Sequence, residues 1–172
     1  FNGKLTIDML RQAVEGTMRT TSMIMLIILA AVFLNFVLSV TGLTQAIADF
    51  VTGLEMTPFQ TMLMIVAILV VLGCFMETLS MLLVTAPLIT PIVVAIGYDP
   101  VWFGILLMVL LETALITPPI GINLYVVQGI RKGGDMLDVM KGAMPFVITM
   151  FAMVALLLAF PQLALWLPSL VY

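Results

Sequence analysis

Leu111-Glu112-Thr113-Ala114-Leu115-Ile116-Thr117-Pro118-Pro119-Ile120-Gly121-Ile122-Asn123 interrupts a strongly apolar helical run with an acid, two adjacent prolines, a glycine and an asparagine. The prolines have no backbone N–H, so the carbonyls of Ala114 and Leu115 lose their helical partners, and Thr117 is pushed away from α geometry. In hydrocarbon, freed carbonyls need protein, trapped water or a bound cation as partners. Membrane transporters use such unwound segments for coupling ions and substrate. Taken alone, the stretch fits a proline kink as readily as an ion site.

The surrounding composition sets the solvent. Of 172 residues, 63% are hydrophobic and only 9% charged, and the mean hydropathy is +1.30, which reads as an all-α integral membrane protein. Glu77 is the only charged side chain between Met56 and Tyr98, and none lies between Ala143 and Tyr172. With no histidine, a single cysteine (Cys74) and no paired metal-ligand motif, zinc chemistry, a disulfide framework and histidine-based catalysis are all excluded. No enzyme constellation remains, and nothing supports nucleic-acid binding. Phe1 stands where an initiating methionine would, and no signal-peptide pattern follows, so the chain is expected to be part of a longer polypeptide.

Working outward, residues 1–20 place Ile7, Leu10, Val14 and Met18 at helical spacing with charges on the other faces, which predicts an amphipathic interfacial helix. Residues 21–56 hold an apolar span ending at Gly42 and a short surface helix carrying Leu43, Ile47, Phe50 and Leu54. Residues 57–99 contain two apolar helices, Pro58 to Met76 and Ser80 to Ile96, joined only by Glu77-Thr78-Leu79, which predicts a re-entrant hairpin. Pro87 and Pro91 are expected to bend its second arm. The broken helix occupies 100–131, a short polar helix 132–143, and a final span 144–172. All six basic residues fall at positions 4 to 19 or 131 to 141, whereas the loops around Asp49, Glu55 and Asp99 carry only acids. The positive-inside rule places the basic segments in the cytoplasm.

A second candidate cluster lies at the predicted hairpin tip, Gly73-Cys74-Phe75-Met76-Glu77-Thr78-Leu79-Ser80. Two helix ends meeting there leave orphan amides and carbonyls, and the positive end of the helix starting near Ser80 suits a carboxylate. The plainer reading has Thr78 and Ser80 capping that helix while Glu77 snorkels or is protonated. For Glu112, one turn before the break, pairing with a hydroxyl and proton or ion handling are both open. Asn123 either orients substrate or caps the second half-helix. Cys74 reads as apolar filler, and the fifteen methionines read as packing.

These motifs, in this order and spacing, resemble one known family. The tip, then Thr85-Ala86-Pro87-Leu88-Ile89-Thr90-Pro91, Asp99-Pro100-Val101-Trp102-Phe103-Gly104, the Glu112 to Asn123 break and Lys141-Gly142-Ala143-Met144-Pro145-Phe146 are similar to the C-terminal part of the large membrane subunit of tripartite ATP-independent periplasmic (TRAP) transporters. The resemblance implies an elevator-type ion transporter fold, of which this chain supplies the C-terminal half with one re-entrant hairpin and one proline-broken helix. It implies sodium as coupling ion, held by Gly73, Thr78 and Ser80 at the tip and by Ala114, Thr117 and Ile120 at the break. Ala114 stands where many relatives are expected to have glycine.

Glu77, Ser80, Thr117 and Asn123 are the substrate-binding candidates. The implied cargo is an organic anion such as a dicarboxylate, keto acid or acidic sugar. The implied partners are a periplasmic substrate-binding protein, a small membrane subunit, the N-terminal half of the same subunit and the lipid bilayer, in a bacterial or archaeal plasma (inner) membrane crossed several times. Two rivals stay open: proton coupling through Glu77 or Glu112, and a non-transporting scaffold subunit in which the breaks serve only packing.

Overall fold

The structure, a computed structural model, describes residues 6–54, 56–118, 121–131 and 133–171. In chain order the helices are α1 (Ile7–Thr41), α2 (Leu43–Thr52), α3 (Pro58–Gly73), α4 (Thr78–Ala95), α5 (Pro100–Ile116), α6 (Ile122–Ile130), α7 (Met136–Ala159), α8 (Gln162–Leu165) and α9 (Pro168–Val171). No strand occurs among the described residues. Among the described residues three helices, α1, α4 and α7, are long and apolar enough to cross a membrane, and α3 and α5 are shorter apolar helices.

Local chemistry sets most helix ends. Thr57 and Gln60 form a reciprocal capping box at the start of α3, with Pro58 at the first helical position, where its missing N–H costs nothing. Asp99 accepts from the amides of Val101 (2.7 Å) and Trp102 (3.1 Å) to start α5. Gly42 ends α1 in the left-handed region (φ 68°) and starts α2, so a single residue turns the corner between them.

The N-terminal amphipathic segment and the first span form one continuous 35-residue helix rather than two elements. The polar stretch at residues 17–21 stays within it, and the Thr17 and Thr20 hydroxyls find partners on their own helix, donating to the carbonyls of Ala13 (2.8 Å) and Gly16 (3.1 Å). At about 1.5 Å per residue α1 extends roughly 52 Å, well beyond the hydrocarbon thickness of about 30 Å. Similarly, the short polar helix and the final span merge into α7, which runs through Pro145. Likewise α4 passes through Pro87 and Pro91 as one helix.

Helix α5 is the centre of the bundle and contacts α3, α4, α6, α7 and α8. Most of its residues are buried against these neighbours, and an exposed stripe runs along Val101, Gly104, Met108 and Glu112. Trp102, Phe103, Leu106, Leu107, Leu110 and Leu111 are fully buried along it. The Trp102 indole N–H donates to the Leu157 carbonyl on α7 (2.9 Å), and its ring stacks on Tyr98 at 4.8 Å. This core fixes where α5 ends, and so fixes the position of the break.

Candidate functional site

The end of α3 and the end of α5 meet. Gly73 is buried, and a Cβ placed on it would collide with the Ala114 methyl and approach Met81 Sδ to 3.4 Å. Cys74 Sγ lies 4.0 Å from the Pro118 carbonyl, across 44 positions of sequence. The two clusters picked out in the sequence are therefore neighbours in space.

At the tip, α3 ends at Gly73 rather than Met76, and α4 begins at Thr78 rather than Ser80. The capping residue is Glu77 itself, not Thr78 or Ser80 as the plainer of the two readings had it. Its Oε1 accepts from the Leu79 amide (2.9 Å), and its Oε2 accepts from the Ser80 amide (2.9 Å) and the Ser80 hydroxyl (3.1 Å). Both oxygens work as acceptors, a role suited to a carboxylate at a helix N-terminus. Relieved of capping, Thr78 Oγ1 is buried with no hydrogen-bond partner among the described residues. Among the described residues no amide reaches the Gly73 carbonyl either.

At the break, Thr117 is extended (φ −87°, ψ 126°), as a residue before proline should be. Its hydroxyl donates to the Thr113 carbonyl (2.6 Å), and its own carbonyl accepts from the Gly121 amide (3.1 Å). The Ala114 carbonyl is not left free, as the proline argument expected: the Thr117 amide turns back to it at 3.3 Å, tightening the last turn of α5. For the Leu115 carbonyl there is no donor among the described residues. Gly121 is buried so tightly that a Cβ there would lie 2.8 Å from the Leu115 oxygen and 3.0 Å from the Thr117 oxygen. Pro119 and Ile120, the latter a predicted sodium ligand, lie outside the described residues.

Not every candidate joins this contact. Ser80 lines a cavity of about 230 Å³ together with Ile27, Ala30, Ala31 and Leu34 of α1. Asn123 is exposed and lines a cavity of about 450 Å³ between α6 and α7, which Arg131 shares. The eight-residue spacing from Asn123 to Arg131, about two helical turns, is the signal in the sequence that sets them along one side of α6. Glu112 is exposed and has no hydrogen bond or ion pair among the described residues.

The chemistry on offer at the tip and the break is a set of uncharged oxygens: the Gly73 and Leu115 carbonyls and the hydroxyls of Thr78 and Thr117. No group of three His, Cys, Asp or Glu side chains forms among the described residues. Such a set suits a hard monovalent cation better than a transition metal.

Comparison with known proteins gives the arrangement its setting. The family model described as "Tripartite ATP-independent periplasmic transporter, DctM component" matches residues 1–163. The C4-dicarboxylate TRAP transporter large permease protein DctM of Vibrio cholerae is 37% identical over 152 residues, covering 88% of this chain and 33% of that protein. The sialic acid TRAP transporter large permease protein SiaM of the same organism is 32% identical, covering 96% of this chain and 39% of that protein. An isethionate TRAP transporter permease protein of Oleidesulfovibrio alaskensis is 30% identical over 89% of this chain and 24% of its own length. The chain thus spans well under half the length of these relatives, all of them transporters rather than enzymes. With the match running through nearly every described helix, the chain belongs to the DctM family, the large membrane component of tripartite ATP-independent periplasmic transporters.

Proposed function

We propose that this chain is the C-terminal part of a sodium-coupled importer of organic anions, working by an elevator movement. In this reading α3 and α4 form a re-entrant hairpin whose tip, with the break between α5 and α6, belongs to the moving domain. The observation that carries it is the contact of Gly73 with Ala114, which sets the tip against the break, together with a Thr78 hydroxyl buried without a partner among the described residues. A buried oxygen without a donor costs about 1–3 kcal/mol, and a sodium ion held with the Gly73 carbonyl and Thr117 hydroxyl would offset that cost. Sodium binding ties the tip to the break and lowers the local negative potential, after which an anion binds better.

The relatives' names specify a C4-dicarboxylate, sialic acid and isethionate, which share a negative charge and little else. Organic anion is therefore the class proposed. A periplasmic substrate-binding protein would deliver the anion, and a small membrane subunit and the N-terminal half of the same subunit would complete the machine in the inner membrane.

The test is uptake of labelled anion by the complete transporter in proteoliposomes, with the membrane potential clamped and sodium replaced by choline. Uptake should cease; undiminished uptake overturns the sodium reading. Proton coupling is favoured by one observation, the exposed and unpaired Glu112. Uptake that follows a pH gradient and ignores sodium, and that fails in Glu112→Gln, would establish it instead.

A further inference from the structure

The cavity between α6 and α7 is unlike the site at the break. Its walls are Ile116, Val127, Val139, Ala143 and Phe146, almost entirely apolar, and its volume is about 450 Å³. It follows α6 from Asn123 to Arg131, a length of about 12 Å at the helical rise. On α7 the lining positions 139, 142, 143 and 146 recur at helical spacing over the first turns of a helix long enough to cross the membrane. Arg131, the one cation among the described lining residues, stands at the end where α6 stops and the polar loop begins.

The setting of Arg131 leaves its charge available. Its closest acid is Asp138, at 3.9 Å, too long for a charge-assisted hydrogen bond. Its side chain is 46% exposed. The loop backbone packs against the guanidinium: a Cβ on Gly134 would lie 2.9 Å from Arg131 Cζ. Gln128 ties the same loop down by donating to the Gly134 carbonyl at 2.8 Å. Arg131 is thus placed by its surroundings and is only weakly neutralised by them.

We propose that this cavity binds one anionic phospholipid, with an acyl chain between α6 and α7 and the phosphate on Arg131. An apolar slot in a membrane helix pair with a cation at its interfacial mouth matches a lipid in both parts, hydrocarbon with hydrocarbon and phosphate with guanidinium. A small soluble organic anion lacks the hydrocarbon part of that division. The loose Asp138 contact, at 3.9 Å, is replaced by the phosphate. This site is separate from the Gly73–Ala114 contact and does not depend on which ion drives transport.

The experiment is native mass spectrometry of the purified protein, in its full polypeptide context, released from nanodiscs containing equal phosphatidylglycerol and phosphatidylcholine with identical acyl chains. Phosphatidylglycerol should be retained about fivefold over phosphatidylcholine, the scale expected for one interfacial cation. Arg131→Gln should bring that ratio to about one without loss of total bound lipid, since the apolar slot is untouched. Ala143→Trp should fill the slot and release both lipids; if it does not fold, Val127→Trp blocks the same slot from an exposed position on α6. Equal retention by the unmodified protein, a preference that survives Arg131→Gln, or lipid retention unchanged by the tryptophan variants would each overturn the proposal. A slot already filled by another stretch of the polypeptide would show as no lipid retained, and that result overturns it as well.

Discussion

Gly73, the last residue of α3, is pressed against Ala114, in the last turn of α5, so closely that a methyl group on the glycine would take the space of the alanine methyl. The pair holds the two interrupted elements at one distance and leaves room for a single methyl between them. Gly73→Ala should destabilise the protein by about 1–3 kcal/mol, the usual cost of overpacking. The exchange Gly73→Ala with Ala114→Gly should recover most of that loss, because the methyl is moved rather than added. Thermal unfolding of the four proteins of this cycle checks it, and non-recovery in the double variant would show that the contact is not the cause.

Thr78→Val separates a hydroxyl that binds something from one that is merely buried. Replacing an unpartnered buried hydroxyl by a methyl of the same shape should leave sodium-free stability unchanged or raise it by about 1 kcal/mol. If the hydroxyl is a sodium ligand, the stabilisation gained on adding sodium should shrink, and half-maximal uptake should need about tenfold more sodium, corresponding to about 1.4 kcal/mol. The two readouts move in opposite directions, which a purely structural threonine would not produce.

For Glu77 the measured quantity is the cap. Glu77→Ala removes acceptors from the amides of Leu79 and Ser80 and should cost about 0.5–2 kcal/mol, while Glu77→Asp should retain most of the stability. Sodium-dependent uptake should persist in Glu77→Asp. Were Glu77 the carrier of a coupling proton, Glu77→Gln would uncouple transport from a pH gradient while leaving a capping oxygen in place.

Gly121→Ala tests the second half of the break. The new methyl would meet backbone oxygens of Leu115 and Thr117, which cannot swing aside as a side chain can. A loss of about 1–3 kcal/mol is expected, accompanied by a weaker sodium response if the Leu115 and Thr117 region is part of the ion site. Sodium-dependent thermal shifts measure both effects in one titration.

Much of this arrangement is legible in the residues, because proline and glycine act locally. Gly42, Pro58, Pro100 and Pro118 stop or start helices where their own backbone chemistry requires it. The continuity of α1 was hidden, since a cluster of polar residues near Arg19 looks like a boundary, yet its hydroxyls find carbonyl partners inside the helix. The Glu77 cap was also hidden: serine and threonine are the usual capping residues, and two of them follow directly. The faces of α4 were unreadable in principle. A helix apolar on every side carries no moment to orient it, so nothing in the sequence turned Ser80 toward α1. Likewise, the meeting of Gly73 with Ala114 depends on how three helices pack, which no local signal encodes.

The burial of Trp102 also equips the protein with its own optical gauge. The chain holds two tryptophans, and they sit in opposite surroundings: Trp102 is 1% exposed, stacked on Tyr98 and bonded to the Leu157 carbonyl, whereas Trp166 is 65% exposed. Brominated lipids or acrylamide will quench the second and spare the first. Trp166→Phe therefore leaves Trp102 as the single tryptophan of these 172 residues, lodged where α5 grips α7, and its emission colour follows the tightness of that grip.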